Sequence, residues 1–146
     1  VLFVYGTLRD PDLLAGALGR PLAPGALHRA VAPGHAVVHY PGRTYPALRR
    51  QPGGAAEGLV LRGLSPFELD LLDAYEGAEY RRALLPVMIE DELHEAFAYL
   101  PTIAVPATAA PWSLAEWQAR HKPRALAGEF EALAGLRLKL LARRPH

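Results

Sequence analysis

The chain contains no cysteine. That excludes disulfides, zinc thiolate sites and a cysteine nucleophile, and it fits a reducing cytoplasm, which is the expected location. Net charge is nearly absent: 16 Lys and Arg against 15 Asp and Glu leave +1, without the basic surplus of a nucleic-acid partner. No apolar stretch approaches the ~18 residues of a membrane-spanning helix. No charged-then-apolar leader opens the chain either, and it starts at Val1 as a processed or trimmed terminus would. Neither secretion nor a membrane partner is therefore expected. A glycine-rich phosphate loop ending in lysine is missing, so nucleotide hydrolysis has no support, and no internal repeat is visible. His35 and His39 have the spacing of helical metal ligands, but Val37-Val38 between them reads as strand, where four residues separate side chains by roughly 13 Å. With His28, His94, His121 and His146 scattered, no metal site and no cofactor are expected.

What is present is enough apolar content for one core: 51% hydrophobic residues in a chain of 146 reads as a single domain. The 14 prolines and 13 glycines fall between short apolar runs, which favours many short strands over a helical bundle. Pro21 to Pro24, Pro33-Gly34, Pro41-Gly42 and Gln51-Pro52-Gly53-Gly54 punctuate candidate strands near Ala26 to Val31, His35 to His39 and Ala56 to Leu64. Arg82 to Ile89 and Glu95 to Leu100 predict a hairpin around Glu90-Asp91-Glu92, with Pro86 demoting part of its first strand to an edge or bulge. After Pro101 the character changes. Ala104 to Pro111 is an Ala/Pro/Thr linker, and Ser113-Leu114-Ala115-Glu116 is a capping box opening a helix that holds Trp117. A further helix is predicted from about Ala125 to Arg143, with Leu126, Phe130, Leu133 and Leu140 on its apolar side and a break at Gly135. Trp112 and Trp117 read as packing anchors. Arg49-Arg50 and Arg143-Arg144 read as solvated faces, attraction of an anionic substrate being the alternative.

Two segments carry chemistry. The run Val1 to Tyr5 reads as a buried strand that breaks at Gly6, where a turn would aim the N–H groups of Gly6, Thr7 and Leu8 into one small space. Such a nest binds a carboxylate or a polarised carbonyl oxygen without a charged side chain, although many strand-glycine turns hold nothing. The second segment begins with Ser65-Pro66-Phe67-Glu68, a capping box with proline at the first helical position, and predicts a helix from Pro66 to about Ala74. Phe67, Leu71 and Tyr75 would line its core face with Leu72, and Gly77 would stop it. Glu76 then sits at the helix C-terminal end, where the dipole opposes a carboxylate and burial raises its pKa, as suits a proton carrier. The other reading is a solvated loop acid, or a partner of Arg81 or Arg82.

Tyr5-Gly6-Thr7-Leu8, and Leu72-Asp73-Ala74-Tyr75-Glu76-Gly77 followed by Tyr80 and Arg82, resemble the two signature motifs of the gamma-glutamylcyclotransferase-like superfamily, including its AIG2-like and gamma-glutamylamine cyclotransferase branches. Tyr45-Pro46-Ala47-Leu48, Glu57-Gly58-Leu59-Val60 and Glu95-Ala96-Phe97-Ala98-Tyr99-Leu100 fall in the order that family shows, so the resemblance spans roughly Val1 to Leu100. It implies an α+β fold, a small and mostly antiparallel β-barrel with flanking helices and a cavity at one end. Residues 1–103 would form the barrel and 104–146 a helical extension on the same domain, able to cover it, line the entrance or pack on a second copy in a homodimer. By position, Gly6, Thr7 and Leu8 become substrate-binding and Glu76 the catalytic acid/base, with Tyr5 and Tyr99 lining the pocket. The implied reaction closes a γ-glutamyl amide to 5-oxoproline and releases an amine or amino acid, with Arg9-Asp10-Pro11-Asp12 and the C-terminal helices setting selectivity. The alternatives are a non-catalytic module that binds a small metabolite in the same cavity, or a scaffold working through its Trp-containing C-terminal region.

Overall fold

The computed structural model describes residues 1–143. Its strands are β1 (Leu2–Val4), β2 (Leu27–His39), β3 (Pro46–Leu61), β4 (Tyr80–Ile89) and β5 (Glu92–Pro101). Its helices are α1 (Pro11–Leu18), α2 (Pro66–Glu76), α3 (Leu114–Arg120) and α4 (Lys122–Arg143). Among the described residues no helix is long and apolar enough to cross a membrane. Arg144 and His146 lie outside the described residues.

The strands pair in the order β1-β3-β2-β4-β5 and β5 returns to β1, closing the sheet into a barrel. Four of the neighbour pairs are antiparallel, while β1 runs parallel to β5 with Leu2 opposite Phe97. The sheet is therefore mixed. An odd ring of strands cannot alternate direction all the way round, so a closed sheet of five must contain a parallel pair. It falls between β1 and β5, which no hairpin joins and whose relative direction no tight turn dictates.

Two expected interruptions are absorbed into strands. Pro33-Gly34 and Gln51-Pro52-Gly53-Gly54 do not end strands but sit opposite one another in a single long β2–β3 ladder, which jumps from Pro33↔Ala55 to His35↔Arg50. The surplus residues make a bulge that bends the ribbon, a role in which proline and glycine are tolerated. The β4–β5 hairpin forms as expected. Glu90 and Asp91 both adopt positive φ (49° and 65°), the backbone of a two-residue turn matched to strand twist, and Pro86 lies within β4 opposite Glu95.

Alternation along β1 explains why its sequence is apolar throughout. Phe3 and Tyr5 point into the barrel, whose remaining core is rich in alanine (Ala30, Ala32, Ala56, Ala96, Ala98). A ring of five strands is narrow, and small side chains let it close around Phe3 and Val60. Leu2 and Val4 point outward, where α1 and α2 cover them with Leu14, Ala17, Leu18 and Leu72. A strand buried on both faces has no polar alternation to show.

The α2 capping box is complete: Ser65 Oγ accepts from the Glu68 N–H and Glu68 reaches back to the Ser65 N–H. Glu68 also binds Arg20 Nε at 2.8 Å, tying α2 to the chain just after α1. Leu71 and Leu72 are fully buried, whereas Phe67 and Tyr75 are half-buried. After β5, the segment before α3 clamps to β2 through His39 N–H to Ala110 O (2.8 Å) and Trp112 N–H to Val37 O (3.1 Å). Trp112 and Trp117 pack on Leu13 of α1, and Ser113 caps α3 by accepting from the Glu116 N–H. The final helix starts at Lys122 and continues through Gly135, contrary to the expected break, because one interior glycine costs only about 1 kcal/mol. Leu140 is half-buried and Leu126 joins the Trp117 cluster, while the side chains of Phe130 and Leu133 lie outside the described ones.

Asp10, expected near a selectivity segment, is instead a fully buried structural cap. It accepts from the Asp12 and Leu13 N–H groups at 3.0 Å, from Gln118 Nε2 at 2.8 Å and from Lys122 Nζ at 2.8 Å, joining α1 to α3 and α4. Burial alone would raise its pKa, but the hydrogen bonds from Lys122, Gln118 and Leu13 together outweigh it and hold the carboxyl below its ordinary value. A lowered folded pKa contributes stability above the unfolded value of about 3.9, and that contribution is lost as pH falls through the folded value. Asp10→Ala is expected to lower the unfolding free energy by about 3 kcal/mol at neutral pH, measured by urea denaturation, and the difference from the parent should shrink below about pH 3.9.

Candidate active site

The strand β1 ends by delivering the chain to one mouth of the barrel. Gly6 caps a short 3₁₀ turn, Thr7–Arg9, closed by the Arg9 N–H to Gly6 O bond at 3.0 Å. At the head of such a turn the first N–H groups have no acceptor within the helix itself. The glycine is needed for a reason different from the one its sequence suggests. Its φ of −119° is open to any residue, but a Cβ there would lie 2.7 Å from Pro46 Cγ. Close approach between the turn and the start of β3 is what excludes a side chain.

Opposite this turn, α2 ends at Glu76, and Gly77 (φ 67°) breaks the helix as expected. Glu76 is half-buried. A cavity of about 160 Å³ lies between the two segments. All the residues singled out from sequence, namely Tyr5, Gly6, Thr7, Leu8, Glu76 and Tyr99, line it. They arrive from β1, the following turn, the end of α2 and β5.

The lining also includes Tyr45, Glu79 and Tyr80. Tyr45 and Tyr80 stand within the resemblance motifs, but neither periodicity nor spacing marked them as cavity residues, and nothing in the sequence marked Glu79. The rings of Tyr40, Tyr45 and Tyr80 form a cluster with centroids 5.4 to 6.3 Å apart. Tyr45 donates its hydroxyl proton to Glu79 Oε1, Arg43 Nε approaches Glu79 Oε2 at 3.3 Å, and Tyr40 donates to the Glu79 carbonyl at 3.1 Å. The loop before β3 is thereby fastened to the short turn after α2. Behind Tyr99, Asp73 accepts the Tyr99 hydroxyl at 2.7 Å and Arg82 Nε at 3.0 Å on the same oxygen. Arg82, one of the two arginines considered as a partner for Glu76, thus forms an ion pair with Asp73.

The electrostatics of the cavity are those of buried phenols beside carboxylates. Burial first, and then the charge of Glu76, push the Tyr5 hydroxyl well above its ordinary pKa. Tyr80 is raised by burial, then by Tyr5 and Glu76, and Tyr99 by burial and Asp73, with Glu76 adding to the effect. Burial and Glu79 raise Tyr45 to about 12. These hydroxyls stay protonated, and the charge of Glu76 is felt by three of them.

A family model described as gamma-glutamyl cyclotransferase, AIG2-like, matches residues 2–119. The chain belongs to this family. AIG2-like protein A of Arabidopsis thaliana is 32% identical over 127 residues, covering 84% of this chain and 74% of that protein. The solution structure of another Arabidopsis thaliana protein superposes with a TM-score of 0.66 at 29% identity, over 99% of this chain and 93% of that one. A structure named gamma-glutamyl cyclotransferase shares the fold at a TM-score of 0.58 and 18% identity, over 99% of this chain and 88% of its own.

In this AIG2-like cavity the contact of Gly6 with Pro46 generates a direct expectation. Gly6→Ala should force the turn and β3 apart and destabilise the protein by about 1–3 kcal/mol, the usual cost of overpacking, read from the denaturation midpoint. An unchanged midpoint would show that Pro46 yields freely.

Proposed function

We propose that this protein closes the γ-glutamyl group of a small γ-glutamyl amide to 5-oxoproline, releasing an amine or amino acid, with Glu76 as the acid/base. The observation that carries the reading is that Glu76 and the Gly6–Leu8 turn, far apart in sequence, wall one small cavity in a member of the cyclotransferase family.

The substrate holds its own nucleophile. Its α-amine lies within reach of its γ-carbonyl, so ring closure needs positioning and proton movement more than a protein nucleophile. Glu76 takes a proton from the α-amine as the nitrogen attacks the γ-carbonyl carbon. The C–N bond of the ring forms and negative charge gathers on the carbonyl oxygen. Collapse of that intermediate breaks the bond to the leaving nitrogen, which recovers the proton from Glu76. Backbone N–H groups of Thr7 and Leu8 hold the α-carboxylate or the developing oxyanion without any reorientation during the reaction. Tyr5 and Tyr99 shape the wall against which the glutamyl carbons lie.

Glu76→Gln keeps the shape of the side chain but cannot take a proton. It is expected to reduce 5-oxoproline release from a panel of γ-glutamyl amino acids, γ-glutamylamines and glutathione by about a hundredfold or more, with the fold intact by circular dichroism. Undiminished turnover would remove Glu76 from the mechanism. Binding without turnover in the parent protein would favour a metabolite-binding module that uses the same cavity.

A further inference from the structure

Two glutamates, Glu76 and Glu79, stand on the cavity wall, and the second of them faces a strap, residues 40–45, that joins β2 to β3. The strap is folded on itself by the bonds from the Tyr40 N–H to Tyr45 O (3.0 Å) and from the Arg43 N–H to Tyr40 O (2.9 Å). On its outer side Trp112 Nε1 donates to the Thr44 carbonyl at 2.8 Å. On its inner side three of its side chains converge on Glu79. Tyr45 donates its hydroxyl proton to Oε1, Arg43 Nε meets Oε2 at 3.3 Å, and the Tyr40 hydroxyl donates to the backbone carbonyl at 3.1 Å. The same carbonyl accepts the Thr102 N–H at 3.0 Å, which pins Glu79 to the chain leaving β5. Tyr45 lines the cavity, and the strap runs into Pro46, which lies against Gly6 and accepts the Tyr80 hydroxyl.

We propose that Glu79 is a positioning residue, the latch that holds this strap closed and with it the Tyr45 wall of the cavity. Glu76 sits at the end of α2 and the Gly6 turn at the end of β1, so each is placed by its own element. The strap belongs to no helix or strand, and its wall therefore depends on side-chain contacts. Exposure decides which of these contacts matters most. The Arg43 side chain is 52% exposed and its ion pair is 3.3 Å long, so that pair contributes little. The Tyr45 hydroxyl meets the same carboxylate in a half-buried setting, where a hydrogen bond to a charged group is stronger than one between neutral groups. Burial and then Glu79 raise the Tyr45 pKa to about 12, so the phenol keeps the proton it donates. Glu79→Gln leaves a neutral acceptor for Tyr45 and can turn an amide N–H toward Arg43, while the backbone carbonyl still receives Tyr40. The strap is then loosened without being cut free. A latch of this kind would serve any ligand of the cavity; only its effect on KM rests on the cyclotransferase reading.

Arg43 places a trypsin site within the strap, and a protease can cut there only while the strap is detached. The parent protein, Glu79→Gln and Tyr45→Phe are digested briefly, and cleavage of the Arg43–Thr44 bond is followed by mass spectrometry beside cleavage after Arg120 in α3. Each variant is expected to be cut after Arg43 about tenfold faster than the parent, with the rate after Arg120 unchanged. The double variant should be little faster than Glu79→Gln alone, because both substitutions remove one shared interaction. In the 5-oxoproline assay each variant is expected to raise KM several-fold while keeping kcat within about twofold, a split that loss of an acid/base group would not give. An unchanged rate after Arg43, or one that rises in step with the rate after Arg120, would overturn the inference, and so would an unchanged KM in a protein that turns over. Its failure is separable from that of the reaction. Release of 5-oxoproline without faster cutting after Arg43 in the variants removes the latch alone; faster cutting there in a protein that releases no 5-oxoproline upholds the latch and removes the cyclotransferase reading.

Discussion

Closure of a five-stranded ring is the constraint from which the site follows. Five strands cannot alternate all the way round, so one neighbouring pair must be parallel, and that pair is β1 with β5. Both strands then run toward the same end of the barrel. The chain leaving β1 forms the turn at Gly6, and Tyr99 near the end of β5 arrives beside it, where Tyr5 donates to the Tyr99 carbonyl. An antiparallel pairing would have sent Tyr99 to the opposite mouth. The same strand is buried on both faces, with Phe3 inside the barrel and Leu2 and Val4 beneath the helices, which fixes the position of the turn at its end.

The helix α2 supplies the other half of the cavity by a simple periodic rule. Its buried stripe centres on Leu71 and Leu72, which dock it on the outside of the sheet. Asp73 and Glu76, three residues apart, stand on neighbouring turns of one face. Asp73 meets Tyr99 and Arg82, and Glu76 lines the cavity itself. Because Gly77 ends the helix at once, the chain can turn back and place Glu79 against Tyr45 and Arg43 of the facing loop. A few residues at one helix terminus thus set Asp73 against Tyr99 and Arg82, Glu79 against Tyr45 and Arg43, and Glu76 on the cavity wall.

Away from the cavity, the C-terminal helices are held by a buried charge together with the apolar cluster of Trp117 and Leu126 with Leu13. Asp10 would be costly to bury alone, and it is tolerated because its own helix N-terminus, Gln118 and Lys122 all donate to it. The arrangement links the turn after Gly6 to α3 and α4.

Local signals in the sequence determined the local structure. The Ser65 and Glu68 side chains bond to backbone within one turn, Gly77 needs only its own φ, and Glu90-Asp91 closes a hairpin between adjoining residues, so each could be read without knowing what lies across the fold. The motifs around Gly6 and Glu76 were equally plain, and with them the family. Tertiary structure decided the rest, because the interactions concerned join residues remote in sequence. Pro33-Gly34 and Pro52-Gly53 look like strand breaks until they are found opposite each other in a bulge. Asp10 looks like a loop acid until Lys122 reaches it from far along the chain. Gly6 looks like a turn glycine, yet it is Pro46 pressing on it that forbids a side chain. The phenols are of the same kind: a tyrosine in a sequence names no acceptor, and only the carbonyls of Tyr99 and Pro46 and the carboxylates of Asp73 and Glu79, brought there by folding, determine where the hydroxyl protons of Tyr5, Tyr80, Tyr99 and Tyr45 go.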